Sequence, residues 1–101
     1  MDLKGVIIEE SLEDKSVLKE INIIKTESEI VTSKHRTPWL KKWTSHKVEI
    51  PEEKLDVICK KLQDSLDKNH EWYIELKSKK YEITIFKDEI IKKKFSIFRD
   101  L

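Results

Sequence analysis

The stretch PEEKLDVICKKLQDSL, residues 51–66, decides the fold. Pro51 suits the first turn of a helix, where no N–H partner is needed, and Glu52 and Glu53 sit at the positive end of the helix dipole. Behind them Leu55, Ile58, Cys59, Leu62 and Leu66 recur at i, i+3, i+4, i+7 and i+11, with Lys54, Lys60, Lys61, Gln63 and Asp64 elsewhere on the surface. This predicts one long amphipathic helix over about 52–66, ended by Asp67-Lys68-Asn69-His70. A helix with a single apolar stripe must bury it against another element.

The flanking sequence supplies that sheet. Downstream, Trp72, Ile74 and Leu76 alternate with Tyr73, Glu75 and Lys77, and Tyr81, Ile83 and Ile85 alternate with Glu82, Thr84 and Phe86. A last strand starts at Ile90 and reaches Phe95 or Phe98, completing a meander. Upstream, Trp43–Ile50 alternates, with Thr44, His46, Val48 and Ile50 on one face and Trp43, Ser45, Lys47 and Glu49 on the other. Ile23–Val31 reads as another strand, with Ile24, Thr26, Ser28 and Ile30 on one face, and Gly5–Ile8 as a first one rich in β-branched residues. Between these two, Ser11 followed by Asp14 resembles a helix start, and Leu12, Val17, Leu18 and Ile21 give a short helix or turn its buried side. The expectation is one α+β domain over residues 1–101. It is a two-layer sandwich whose mostly antiparallel sheet of five to six strands carries the helix on one face.

Composition narrows the function classes. Charged residues make up 41% of the chain but the net charge is +1, and the apolar residues are periodic, so a folded domain is expected rather than a disordered one. The lone Cys59 allows no internal disulfide and no cysteine zinc cluster, and it sits on the apolar stripe of the helix. No apolar run approaches the ~20 residues that cross a bilayer, and the first residues lack a signal-peptide pattern. A cytoplasmic location is the expectation. With one glycine there is no Gly-rich phosphate loop, and no His-x-x-x-His pair appears. Acids at Glu9, Glu10, Glu13 and Asp14 lack the spacing of a calcium loop and read as capping and solvation. No catalytic residue, cofactor or metal ligand is assigned.

One segment stands apart. Residues 34–47 carry five Lys or Arg and no acid, whereas residues 1–33 carry eight acids against four bases. Within it, His35-Arg36-Thr37-Pro38-Trp39-Leu40-Lys41-Lys42-Trp43 combines an arginine fork with indole faces. Arg36 can grip a carboxylate or phosphate through parallel hydrogen bonds, and the indoles can stack on a ring or a cation. His35, Arg36, Trp39 and Trp43 are therefore the candidate ligand-binding residues. The competing explanation is that Trp39 and Leu40 pin an irregular loop to the core while the lysines are solvated. His46 shares a face with Val48 and Ile50 and reads as a buried, hydrogen-bonded histidine. Trp72 and Tyr73 beside His70 form a second aromatic cluster, one ring inward and one outward. The lysines at 92–94 read as charges that protect an edge strand.

The stretches KGVIIEESL (residues 4–12) and HRTPWLKKWT (residues 35–44), with the acid-capped helix and Trp72-Tyr73, resemble a family of small uncharacterised prokaryotic proteins. The resemblance implies a stand-alone cytosolic domain and assigns neither an activity nor a site residue.

The residues thus favour a non-catalytic binding module that holds a small anionic ligand, or an acidic surface of a protein partner, through segment 34–46. Two other classes are open. One is weak nucleic-acid binding by the same segment with the lysines at 92–94, against which the pI of 7.8 counts. The other is a small enzyme with His35, His46 or His70 as acid/base, which needs two of them to meet in a cleft beside a carboxylate. Strand order, oligomeric state, ligand identity and the exposure of Trp39 and Trp43 are decided above the level of local pattern.

Overall fold

A computed structural model describes residues 2–95. Six strands are present, β1 Leu3–Ile8, β2 Asn22–Ile30, β3 Lys42–Ile50, β4 Tyr73–Lys77, β5 Tyr81–Phe86 and β6 Ile90–Lys94, with one helix, α1, over Leu55–Ser65. They form one sheet in the order β2-β3-β1-β4-β5-β6, and every neighbouring pair is antiparallel. The chain is an α+β fold with the helix on one face. Any continuation of the last strand to Phe98 lies outside the described residues.

The helix is shorter than its apolar stripe. A 3-10 turn at Glu52–Lys54 leads into eleven α-helical residues, and Leu66 at the C-cap is already extended. Leu55, Ile58, Cys59, Leu62 and Leu66 are all buried, so the stripe does what its spacing predicts. They pack on the inner face of the sheet, where Leu3, Ile7, Val48, Ile50, Ile74, Leu76, Ile83 and Ile85 are almost completely buried. The chain's single glycine, Gly5, lies where β1 meets β4. A Cβ there would come within 2.2 Å of the Glu75 carbonyl oxygen and 2.8 Å of a Leu76 methyl, so a side chain would force these central strands apart.

The N-terminal segment forms short 3-10 helices, over Glu9–Ser11 and Lys15–Glu20, and Leu12, Val17, Leu18 and Ile21 are buried as their spacing predicts. Ser11 does not cap a helix; its buried hydroxyl donates to the Ile8 carbonyl at 2.6 Å, while Asp14 caps the second turn by accepting from the Ser16 N–H. The segment is tied to the end of α1 instead, through Glu13 N–H to the Ser65 carbonyl and Asp67 N–H to the Ser11 carbonyl. Strand β2 carries a bulge between Ile23 and Lys25. Ile23 therefore packs toward the core, and beyond the bulge Thr26, opposite His46, returns to the same inner face. A simple alternation through Ile24 misses this switch because a bulge inserts one residue and inverts the parity.

Cys59 is buried, and burial pushes its thiol up to about 11, which leaves it an inert part of the core. Lys92, Lys93 and Lys94 are exposed on the edge strand β6, with Lys92 lying over the Tyr81 ring at 4.4 Å. Among the described residues no helix is long and apolar enough to cross a membrane.

Candidate functional site

The strand order brings together two segments that lie about thirty residues apart in the chain. Both β3 and β4 pair antiparallel with β1, so they run parallel to each other and begin at the same end of the sheet. Their starts flank the end of β1, roughly 10 Å apart across two strand spacings. The chain then leaves β1 through the turn at Glu9–Ser11, and the gap between the two starts is filled by aromatic rings. Residues 35–43 approach from the β3 side and residues 70–73 from the β4 side.

All three tryptophans of the protein meet there. Trp39 stacks on His70 with ring centres 3.7 Å apart and planes within 10°, and meets Trp72 edge-on at 6.5 Å. Trp43 lies 5.7 Å from Trp72 and receives His35 edge-on at 4.5 Å. Such pairs contribute about 0.5–1.5 kcal/mol each beyond area burial. Around them lies an open groove of about 920 Å³ on the face of the sheet that the helix leaves bare. Val6, Ile8, Trp43, Trp72, Tyr73 and Glu75 are part of its lining, with Arg36, Thr37, Trp39, His70 and Glu71 from the adjoining loops.

The four sequence-derived candidates all line this groove, but they do different work. His35 is committed to the loop. Its Nδ1 accepts from the Thr32 N–H at 2.9 Å, completing a capping box, and its Nε2 lies 3.4 Å from Glu29. Trp43 is half-buried and its indole N–H donates to the buried Thr37 hydroxyl at 2.9 Å, so it is both floor and anchor. Trp39 is 45% exposed. Arg36 is exposed at the rim, and its guanidinium forms no ion pair or hydrogen bond with any described residue. It is also the only described non-glycine residue with positive φ, at 58°. A left-handed conformation costs an L-residue roughly 1–2 kcal/mol, and the loop places this strain on an unpaired cation that lines the groove.

His70, Trp72 and Tyr73 are the residues that the segment-based reading left out of the site. Their aromatic cluster was visible in the sequence, but nothing local joined it to residues 35–43. His70 Nδ1 donates to Asp67 at 2.6 Å, which fixes the ring and leaves Nε2 without a partner among the described residues. Burial opposes the charge of Asp67, yet the bonds from His70 and the Asn69 N–H outweigh it, and its pKa lies below the ordinary value. The Trp72 N–H also favours the Asp67 charge but lies outside hydrogen-bonding geometry, and this buried group has no acceptor among the described residues. Tyr73 projects outward, 59% exposed.

His46 is not part of the groove. It is buried on the inner face, where its Nε2 donates to Glu9 at 3.0 Å and its Nδ1 meets the Thr26 hydroxyl at 2.8 Å. The hydrogen bond from His46 is the main cause that holds the Glu9 carboxyl below its ordinary range. Glu10 accepts in parallel from the Thr44 N–H and hydroxyl, at 2.6 and 2.8 Å. These two acids bolt the end of β1 to β3. No cluster of metal-ligating side chains occurs among the described residues.

The wider bare face is not a basic surface. Lys4 pairs with Glu49, Lys25 with Glu27, and Lys77 with both Glu75 and Glu82. The lysines of β6 lie at the opposite side of the sheet, four strands from β3. No protein-family model, curated protein or solved structure matches the chain.

Proposed function

We propose that the protein is a non-catalytic binding module whose ligand site is the aromatic groove, and that the ligand is a small molecule with a flat ring and an anionic group. One observation carries this reading: Arg36, unpaired and the one described non-glycine residue with positive φ, lines with a half-exposed indole a groove that gathers every tryptophan of the chain. A ring stacked on Trp39 and an anion held by the Arg36 fork use both groups without rearranging His35 or Trp43, which serve as scaffold. A cytoplasmic setting belongs to the same proposal.

The test uses the three indole N–H signals in nitrogen–proton correlation spectra, all of which report on this groove. Titration with benzoate and other small aromatic acids should shift them, and the Arg36→Gln and Trp39→Ala variants should lose the response while keeping the circular dichroism of the parent. Indole signals unmoved by every aromatic anion at millimolar concentration would sink the proposal.

The alternatives are weaker on specific grounds. A nucleic-acid strand needs a continuous positive track, and on this face Lys4, Lys25 and Lys77 are paired with acids while Lys47 lies in the field of Glu27. For an acid–base enzyme, His35 and His70 do line one groove with Glu71 and Glu75, but both nitrogens of His35 are engaged in its loop and His46 lies on the other face.

A further inference from the structure

We infer that the ligand is a free nucleoside monophosphate, an inference that rests on the reading of the groove given above and names its ligand class. Three features select it. The first is the platform. One face of Trp39 is covered by His70 and an edge meets Trp72, yet 45% of the residue is exposed, so the opposite indole face is the open one. A ring stacked there becomes the third layer on a bicyclic surface already held by the Asp67–His70 bond. Base–aromatic stacking is favourable for every base, and a platform that does not have to order itself loses little of it.

The second feature is the charge count. Arg36 is the only permanent cation lining the groove, and it is unpaired among the described residues. One guanidinium suits one terminal phosphate through two parallel hydrogen bonds. A triphosphate or a polynucleotide would bring further charges to a groove whose lining holds no lysine and no second arginine.

The third is what else lines the groove. Glu71 and Glu75 also line the groove; one oxygen of each meets a lysine, Glu71 with Lys87 at 3.1 Å and Glu75 with Lys77 at 3.7 Å, which leaves the other oxygen as a hydrogen-bond acceptor. A nucleotide offers them donors, namely ribose hydroxyls and the exocyclic amine of a base. A simple aromatic acid has none. The combination of stacking face, single cation and carboxylate acceptors matches base, phosphate and sugar in one molecule.

The experiment follows the indole N–H signals of the full chain during titration with adenosine and guanosine 5′-monophosphates, adenosine, ribose 5-phosphate, benzoate and a short single-stranded oligonucleotide. The expected result is that a monophosphate binds at least about tenfold more tightly than adenosine, ribose 5-phosphate or benzoate. Arg36→Gln should erase the advantage of the monophosphate over adenosine, and Trp39→Ala should weaken both. If benzoate binds as tightly as the monophosphates, the nucleotide inference falls while the ring-and-anion reading stands. If the oligonucleotide binds and the monophosphates do not, the inference is overturned in favour of a strand. If nothing binds, both readings fall.

Discussion

The two faces of one sheet have been built to different rules. On the inner face, alternate residues of the four central strands are mostly apolar, Thr44 and His46 of β3 excepted, and are closed off from water by an eleven-residue helix and the 3-10 turns of residues 9–20. On the bare face the same strands are graded. One end of the strands carries cross-strand ion pairs such as Lys4 with Glu49 and Lys77 with Glu82, and the other end carries aromatic rings. Exposed ion pairs add little stability, so the charged end chiefly keeps a naked sheet in water. The aromatic end leaves Trp39 and Tyr73 half-exposed beside an unpaired arginine. The contrast separates residues that hold the fold from residues the fold merely holds in place.

The largest expected effect tests the inner face. Leu62→Ala or Ile74→Ala removes a fully buried side chain and should lower unfolding free energy by about 2–5 kcal/mol in urea titrations. Tyr73→Ala, one residue from Ile74 but on the bare face, should cost under about 1 kcal/mol. Equal losses at Tyr73 and Ile74 would erase the distinction between the faces. Gly5→Ala comes next. Its methyl group would collide with the Glu75 backbone, not with a flexible side chain, so about 1–3 kcal/mol should be lost despite the added apolar atom.

A smaller effect probes the acid bolts. Because the Glu9 carboxyl titrates below its ordinary value of 4.5 when folded, its contribution is complete above that pH and is lost as pH falls through the folded value. Glu9→Gln should therefore lower stability at neutral pH and flatten the acid limb of the stability curve; an unchanged acid limb in urea titrations at successive pH values would remove His46–Glu9 from the account. The smallest effect concerns the loop. Arg36→Gly relieves the left-handed backbone at the price of a looser unfolded chain, so stability should stay level or rise by up to about 1 kcal/mol. Loss of ligand response without loss of stability in that variant would mark Arg36 as kept for binding.

Sequence patterns reach these features unequally. Thr44, His46, Val48 and Ile50 share the inner face as their alternation predicts, and α1 buries the stripe that its spacing defines, because both depend only on neighbours along the chain. The N-terminal turns escape that logic. Ser11 resembles a helix cap in sequence, but its hydroxyl donates to the Ile8 carbonyl and the Glu13 N–H to the Ser65 carbonyl, while Asp14 caps the 3-10 helix Lys15–Glu20. The bulge in β2 is invisible for a similar reason, since only the pairing with β3 reveals the extra residue.

What the sequence determined by itself is the set of elements, the inward side of most of them, and the singular chemistry of residues 34–46. What only the tertiary structure decided is that β1 inserts between β3 and β4. That placement makes the starts of β3 and β4 neighbours, stacks Trp39 on His70 and joins two aromatic clusters into one groove. Strand order is a competition among long-range pairings whose energies depend on the whole sheet, and the local period of a strand is the same whichever partner it finds.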